Sequence, residues 1–521
     1  SQALFGLRKK DYYFRFKKAP YTREQLDERL GRLKEEAQKQ LKRVTPRKKP
    51  QLRVLLTGGT GFVGKEILWQ AATMDEVEEM VVLIRPKTLR DRKTGKVTGV
   101  LTPTDRGRQL LEELWLTRPE HQAKFRFVEG DIEEPRLGVS NPEFERLAQS
   151  VTHVIHCAAS VAFDSPYEES FAANVLGTLN ALSFSHALQN APDSPFVAHL
   201  SIETSYIHGR QRRQEAREDE IVFPRNFYNN YYELTKAMAS IETERFMLDK
   251  GLRVVQLCPS IVIGDVRTGN NRGDTKVVNA PVNAFGRAKQ HLKDSRGDWV
   301  EWSKAWMLFR MASVFPGDPS AELNLIPVDW VARGILSALT RPRSVGERVH
   351  LATDRRMTTE RMRLVILEEL GVDVKLAEPT LHRTVQLPVL TRVLKKIKQA
   401  NLARALEKLG TIFGGYSEWG QPVHQVGNDA ELLGMPTPRP NTESAFRMLC
   451  RHNKYVQRFG MVKDPRELAR REKLWTEFIY ELERDYGKPV GELESAEFRM
   501  RFYERFEPER FVEKAPAGRG S

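Results

Sequence analysis

Val54-Leu-Leu-Thr-Gly-Gly-Thr-Gly-Phe-Val-Gly64 joins an apolar β-type segment to helix-forming sequence through glycines at 58, 61 and 64. Glycine there answers three physical demands: a tight turn, close approach of backbone to a pyrophosphate, and close packing of helix on strand. The N–H groups around Thr60, Phe62 and Val63 open the helix without intrahelical partners, and with the helix dipole they favour phosphate. The spacing is Gly-x-x-Gly-x-x-Gly, so the motif draws its weight from the strand before it and the helix after it.

Outward from this turn, short apolar runs alternate with helical stretches. The runs are Arg53–Thr57, Met80–Ile84, Phe125–Val128, Thr152–Cys157, Phe196–Leu200, Arg253–Cys258 and Arg348–Leu351. Runs apolar on both faces, separated by helices, predict a doubly wound α/β fold with a parallel sheet covered on both sides. Residues 21–43 read as one charged helix, and Pro46 to Pro50 as a linker. The 265–325 segment, rich in Gly, Asn, Pro and Trp, breaks the alternation and reads as a substrate-covering insert. Three units are expected: a basic helical arm over 1–50, a Rossmann domain over 51–355, and a mainly helical C-terminal domain over 356–521.

The ends of the runs carry the candidate ligand residues. Arg85 closes the second run, where an acid would bind the ribose hydroxyls of NAD and an Arg suits the 2′-phosphate of NADP. NADPH is therefore the expected cofactor. Gly130-Asp131-Ile132 follows the third run and offers a short acid to the adenine. His156-Cys-Ala-Ala-Ser160 follows the fourth, where the small Ala158 and Ala159 let backbone approach the cofactor. His153 and His156 would point to opposite faces of a strand, so a structural role is expected for them and no metal site.

Tyr232-Glu-Leu-Thr-Lys236 places a phenol and an ammonium one helical turn apart. Tyr13 and Lys17 repeat the spacing, so the pair takes its meaning from the motifs upstream.

The bulk properties fit a globular protein. Of 521 residues, 40% are hydrophobic and 29% charged, and no apolar run approaches the roughly 20 residues of a membrane span. The N-terminus lacks the apolar core of a secretory signal. Three cysteines (Cys157, Cys258, Cys450) lack metal-ligand spacing, which points to a reducing, cytoplasmic setting. Residues 1–50 hold 16 Lys/Arg against 6 Asp/Glu, within a net charge of +14. Such an arm is either a solvated helix or a contact for an acidic partner; no nucleic-acid recognition motif accompanies it. Leu390 to Leu409 alternates leucines with lysines and arginines, as a core-facing helix or one lying on a membrane surface would.

With these residues in view, the chain resembles the extended short-chain dehydrogenase/reductases, and more narrowly the fatty acyl-CoA reductase and carrier-protein thioester reductase branch. The resemblance covers roughly residues 50–355. It rests on Thr57-Gly-Gly-Thr-Gly-Phe-Val-Gly64, on Arg108-Gln-Leu-Leu-Glu-Glu-Leu at the end of a long insert, and on Gly130-Asp-Ile-Glu-Glu-Pro-Arg-Leu-Gly-Val-Ser140. It is carried further by His156-Cys-Ala-Ala-Ser-Val-Ala-Phe-Asp164, Asn174-Val-Leu-Gly-Thr178, Cys258-Pro-Ser-Ile-Val-Ile-Gly264 and Ile326-Pro-Val-Asp329. It implies a catalytic trio at Thr204, Tyr232 and Lys236, with Lys236 also on the nicotinamide ribose. Asn174, Pro259 and Ile261 join the expected cofactor contacts. Glu203 stands before Thr204 where the family pattern differs, and Ser201 is a rival for the hydroxyl role.

The implied reaction sends hydride to a thioester carbonyl, supplied as acyl-CoA or on an acyl carrier protein, and gives an aldehyde, with a second hydride transfer to the alcohol left open. Its oxyanion would be met by the Thr204 hydroxyl and the Tyr232 phenol. The nearby ammonium and the positive nicotinamide ring of the oxidised cofactor are together expected to bring the phenol from about pH 10 toward neutrality. Two rivals stay open: another extended reductase chemistry on a nucleotide sugar or steroid, for which Arg267, Arg272, Lys276 and Arg287 could hold a diphosphate, and a non-catalytic cofactor-binding protein.

Overall fold

A computed structural model describes residues 21–45, 51–91, 94–163, 165–209, 215–219, 228–274, 276–378, 384, 386–396, 416 and 421–509. The distal parts of the basic arm, the Tyr13/Lys17 pair, the 46–50 linker and residues 397–409 lie outside the described residues.

Seven parallel strands form the central sheet: β1 (Leu52–Thr57), β2 (Val77–Ile84), β3 (Phe125–Glu129), β4 (His153–His156), β5 (Ala198–Ile202), β6 (Val254–Pro259) and β7 (Arg348–Leu351). Their spatial order is β7-β6-β5-β4-β1-β2-β3. Strand order therefore reverses between β1 and β4, and in open α/β sheets ligands bind at the carboxyl ends of strands flanking such a switch. Register brings Thr57 beside both Leu83 and His156, so the segments after β1, β2 and β4 leave the sheet at one edge. Every position of β4, β5, β6 and β7 is buried, which is why these strands read as continuous apolar runs.

Helix α1 (Arg23–Val44) opens with a capping box between Thr22 and Gln25. Leu33 and Ala37 enter the sheet's hydrophobic core, and Arg29 donates to the Leu248 carbonyl at 2.7 Å. Part of the basic arm is thus the solvated side of a packed helix. Helix α2 (Phe62–Ala71) follows the glycine turn, α3 (Pro103–Glu113) lies in the long connection from β2 to β3, and α4 (Gly177–Gln189) continues a helical segment begun at Tyr167. Helix α5 (Tyr231–Lys250) is capped by Asn230, whose side chain accepts from the Glu233 N–H, and it stops at left-handed Gly251.

The 265–325 segment contributes α6 (Asn279–Asp294) and α7 (Trp299–Ala312). These are followed by α8 (Val328–Ala338), α9 (Thr359–Leu370) and α10 (Thr442–Tyr455). A second hydrophobic cluster joins Val282 and Phe285 of α6, Val365 and Ile366 of α9, and Phe446 and Leu449 of α10. The C-terminal helices and the insert thus share a core above the switch point. That core is pinned by Arg451, fully buried, whose guanidinium reaches both oxygens of Glu369 at 2.8 and 3.0 Å. Among the described residues no helix is long and apolar enough to cross a membrane.

Candidate active site

The turn after β1 has the geometry its glycines predict. Gly58 has φ +79°, and a Cβ there would sit 2.6 Å from the Ala158 nitrogen. A Cβ on Gly64 would sit 2.1 Å from the Gly58 oxygen, so α2 can abut the turn only because residue 64 has no side chain. Ala158 N donates to Thr57 Oγ1 at 3.2 Å, which ties the ends of β1 and β4 together.

Two cavities meet at this turn. Gly58, Thr60, Gly61, Cys157 and Ala159 line both. One cavity continues past Arg85, Asp131, Ile132 and Ala158. The other continues past Phe62, Val63, Gly64, Thr204, Tyr232, Lys236, Pro259 and Ile261. A phosphate-binding turn with a cavity on each side is the shape a dinucleotide requires, one half per cavity. The cradle a Cβ would fill, and the unpaired N–H groups at the start of α2, fit such a group.

On the first side, Arg85 lies 3.4 Å from Asp131 Oδ2, and Asp131 Oδ1 accepts the Glu133 N–H at 3.0 Å. Arg106, at the start of α3, donates to the Arg85 carbonyl and lines the same cavity. Arg106 is a second guanidinium that the sequence did not flag, because its place depends on how the long β2–β3 connection folds back.

On the second side, the catalytic candidates face one space. Thr204 caps a short 3₁₀ turn, with its Oγ1 accepting the Tyr206 N–H and donating to the Pro259 carbonyl, both at 3.3 Å. Ser201 is buried within β5 and is not part of the lining. Tyr232 stands in the first turn of α5, edge-on to Phe163 at 5.4 Å. Lys236 Nζ, one turn on, donates to the Ile202 carbonyl at 2.7 Å. Glu203, the departure from the family pattern, turns inward: it accepts from Ser240 Oγ at 2.5 Å and Gln256 Nε2 at 3.0 Å.

The electrostatics differ from the sequence expectation. Burial pushes the Tyr232 phenol well above its ordinary value, Glu233 and Cys157 add to the rise, and a hydrogen bond with Thr204 offsets it only in part. Burial also lowers the Lys236 ammonium, against the opposing pull of Glu203. Desolvation is the largest influence on this phenol, and it favours the neutral form.

Asn174 is the one expected cofactor contact that the structure does not bring to either cavity. It is buried, and its amide bonds Ser160 N at 2.8 Å, Ser160 O at 3.1 Å and Thr235 Oγ1 at 3.0 Å. Three of the four cations expected for a diphosphate are engaged elsewhere. Arg267 bonds Glu483 at 2.9 Å, Arg272 bonds Glu66 at 2.8 Å, and Arg287 donates to the Phe459 carbonyl at 3.1 Å. Val161, Phe163, Tyr206, Val262, Val277 and Tyr416 add apolar surface to this cavity, beside the charged Lys65, Glu203, Arg272, Asp274 and Lys276; of these Tyr416, far along the chain, has no sequence signal.

Comparison with known proteins agrees with this architecture. The family model described as male sterility protein matches residues 56–335. Fatty acyl-CoA reductase wat of Drosophila melanogaster is 24% identical over 300 residues, 55% of this chain and 53% of that protein. Fatty acyl-CoA reductase 1 of Gallus gallus is 28% identical over 174 residues, 33% of this chain and 30% of that one. The aligned part is thus about half or less of these relatives' own lengths. Among solved structures, the terminal R domain of the myxalamid PKS-NRPS biosynthetic pathway superposes with a TM-score of 0.58 at 23% identity, covering 83% of this chain and 99% of that domain. A thiolation-reductase di-domain from an archaeal non-ribosomal peptide synthetase gives 0.54 at 18% identity, over 85% and 82%. With the sheet order, the glycine turn and this match in hand, the chain belongs to the male sterility protein family.

Proposed function

We propose that this protein is an NADPH-dependent reductase of acyl thioesters, taking a long-chain acyl group from CoA or an acyl carrier protein and releasing an aldehyde. The observation that carries the reading is the shared cavity: Thr204, Tyr232 and Lys236 open onto the space that begins at the glycine turn. The names of the relatives and of the di-domain neighbour point to the same class of thioester. Arg85 and Arg106, side by side at the far cavity, favour the cofactor with a 2′-phosphate.

In this reading the reduced nicotinamide, when bound, supplies the hydride. The residues of the chain do the rest. The Tyr232 phenol, and the Thr204 hydroxyl on turning from the Pro259 carbonyl, donate toward the thioester oxygen as it gains charge. A phenol kept neutral by burial is in the right state to give that oxygen its proton and leave a hemithioacetal. The hemithioacetal then loses its C–S bond, the thiol departs, and the aldehyde remains. Lys236, fixed by the Ile202 carbonyl, holds the nicotinamide ribose. Of the four cations Arg272 and Lys276 line this cavity; Arg272 is already paired with Glu66, and Arg267 and Arg287 bond Glu483 and the Phe459 carbonyl, which disfavours a sugar diphosphate.

The test is incubation with NADPH and a long-chain acyl-CoA, or the same acyl group on a carrier protein, with the aldehyde trapped as a hydrazone. Aldehyde formation is expected; no cofactor oxidation with either thioester removes the proposal.

A further inference from the structure

A second, apolar cavity adjoins the catalytic one. It is enclosed by Val282 and Phe285 of α6, Met362 and Ile366 of α9, and Phe446 of α10. Tyr416 lines both cavities, and the consecutive residues Val277 and Val278 line one each. The Tyr416 hydroxyl is held at the start of the catalytic helix, accepting from Asn230 Nδ2 at 3.3 Å and hydrogen-bonding Glu233. Its ring stands edge-on to Tyr206 at 5.7 Å and near Phe163 at 6.2 Å. Tyr232, Phe163 and Tyr416 thus form a continuous aromatic wall from the reacting centre to the apolar space.

The few polar groups of this lining are turned to other partners. Thr359 Oγ1 donates to the Ala321 carbonyl at 3.1 Å. Arg363 is spent on Glu360 at 2.7 Å and Asp373 at 2.9 Å. A space with no polar group to offer excludes sugars, phosphates and peptides, and accepts hydrocarbon. It leaves about 50 Å³ for the centres of water molecules, room for a short run of methylenes.

We infer that this cavity seats the distal methylenes of an unbranched acyl chain, with Tyr416 as the wall it passes and Met362 and Leu376 as its size-setting rim. The inference rests on the acyl-thioester reading above and adds to it the class of tail and the residues that measure it. Met362 and Leu376 are partly exposed, so larger side chains there can fill the cavity without rebuilding the core. Each methylene seated is worth about 0.8 kcal/mol, or about fourfold in affinity.

The experiment uses the full chain and a fluorescent polyene fatty acid, cis-parinaric acid, displaced by saturated acyl-CoAs of increasing length. Saturable binding is expected, with displacement strengthening about fourfold per added methylene over a short run of methylenes and then levelling. Met362→Trp and Leu376→Trp should each weaken the probe at least about tenfold and move the plateau to shorter chains, while NADPH affinity, the measure of an intact fold, stays unchanged. Probe binding and chain-length profiles unaltered in both variants would overturn the inference. So would displacement that does not depend on chain length. If the probe behaves as expected but no thioester oxidises NADPH, the pocket stands and the reductase reading falls.

Discussion

The side-chain amide of Asn174 donates to the hydroxyl of Thr235 at 3.0 Å. Thr235 stands between Tyr232 and Lys236 on α5, and the same amide holds both backbone polar groups of Ser160. One buried side chain thus sets the cofactor loop after β4 against the catalytic helix. Asn174→Ala leaves the Ser160 groups unpaired and should cost about 1–3 kcal/mol of stability. Its stronger effect should be on turnover: a misplaced reacting centre predicts a fall in kcat of up to about 100-fold, with cofactor affinity little changed. Steady-state kinetics with a parallel NADPH titration checks this; lost NADPH affinity with intact kcat would mean that Asn174 acts on the cofactor directly.

The pairing of Arg106 with the Arg85 carbonyl gives a prediction about cofactor choice. Arg85 is 64% exposed at its side chain, so solvent screens its contribution. Arg85→Ala and Arg106→Ala should each weaken NADPH by about tenfold and leave NADH unchanged, narrowing the preference between them. Titrations with both nucleotides decide it, and equal losses for the two would remove the 2′-phosphate assignment.

A buried, neutral phenol predicts how rate depends on pH. Because burial raises the Tyr232 phenol above its ordinary value, thioester reduction should show no descending limb assignable to Tyr232 between about pH 6 and 9. Tyr232→Phe should lower kcat by at least about 100-fold with NADPH binding retained. A descending limb near neutrality that vanishes in the Phe variant would restore the sequence expectation of a lysine-poised phenol.

Stability should fall on acidification. Burial lowers His153, His199 and His208 to about 3, and His424 to about 4. An unfolded histidine protonates near 6.5, so the unfolded chain binds more protons below that pH, and stability drops as pH falls from about 6.5 toward the folded values. Each of these groups costs about 2 kcal/mol at pH 5. Glu218, pushed up to about 7 by burial, gains stability over the same interval and offsets about one of them. Thermal melts from pH 7 to 5 should therefore show a clear loss; a flat profile would mean that these imidazoles are already charged or exposed.

Much of the sheet was legible because its strands are buried on both faces. The expected run Arg348–Leu351 coincides with β7, and the other six expected runs lie within a few residues of the observed strands. The glycine turn was legible because Gly58 and Gly64 meet backbone that admits no Cβ. Illegible were the features made by distant segments. Arg106 reaches Arg85 only when α3 folds back, and Tyr416 enters the cavity wall from beyond the insert. The helix spacing of Tyr232 and Lys236 fixes their side of α5, while the burial that raises the phenol comes from residues such as Phe163, which spacing does not reveal. Asn174, expected at the cofactor, spends its amide on joining the loop after β4 to α5.

The central claim is hydride delivery to a thioester carbonyl, and isotope transfer tests it most directly. Turnover of a long-chain acyl-CoA with NADPH deuterated at both C4 positions, with the product analysed by mass spectrometry, should place deuterium on C1 of the aldehyde or alcohol. Thioester left unconsumed, or a product without deuterium at C1, would contradict it.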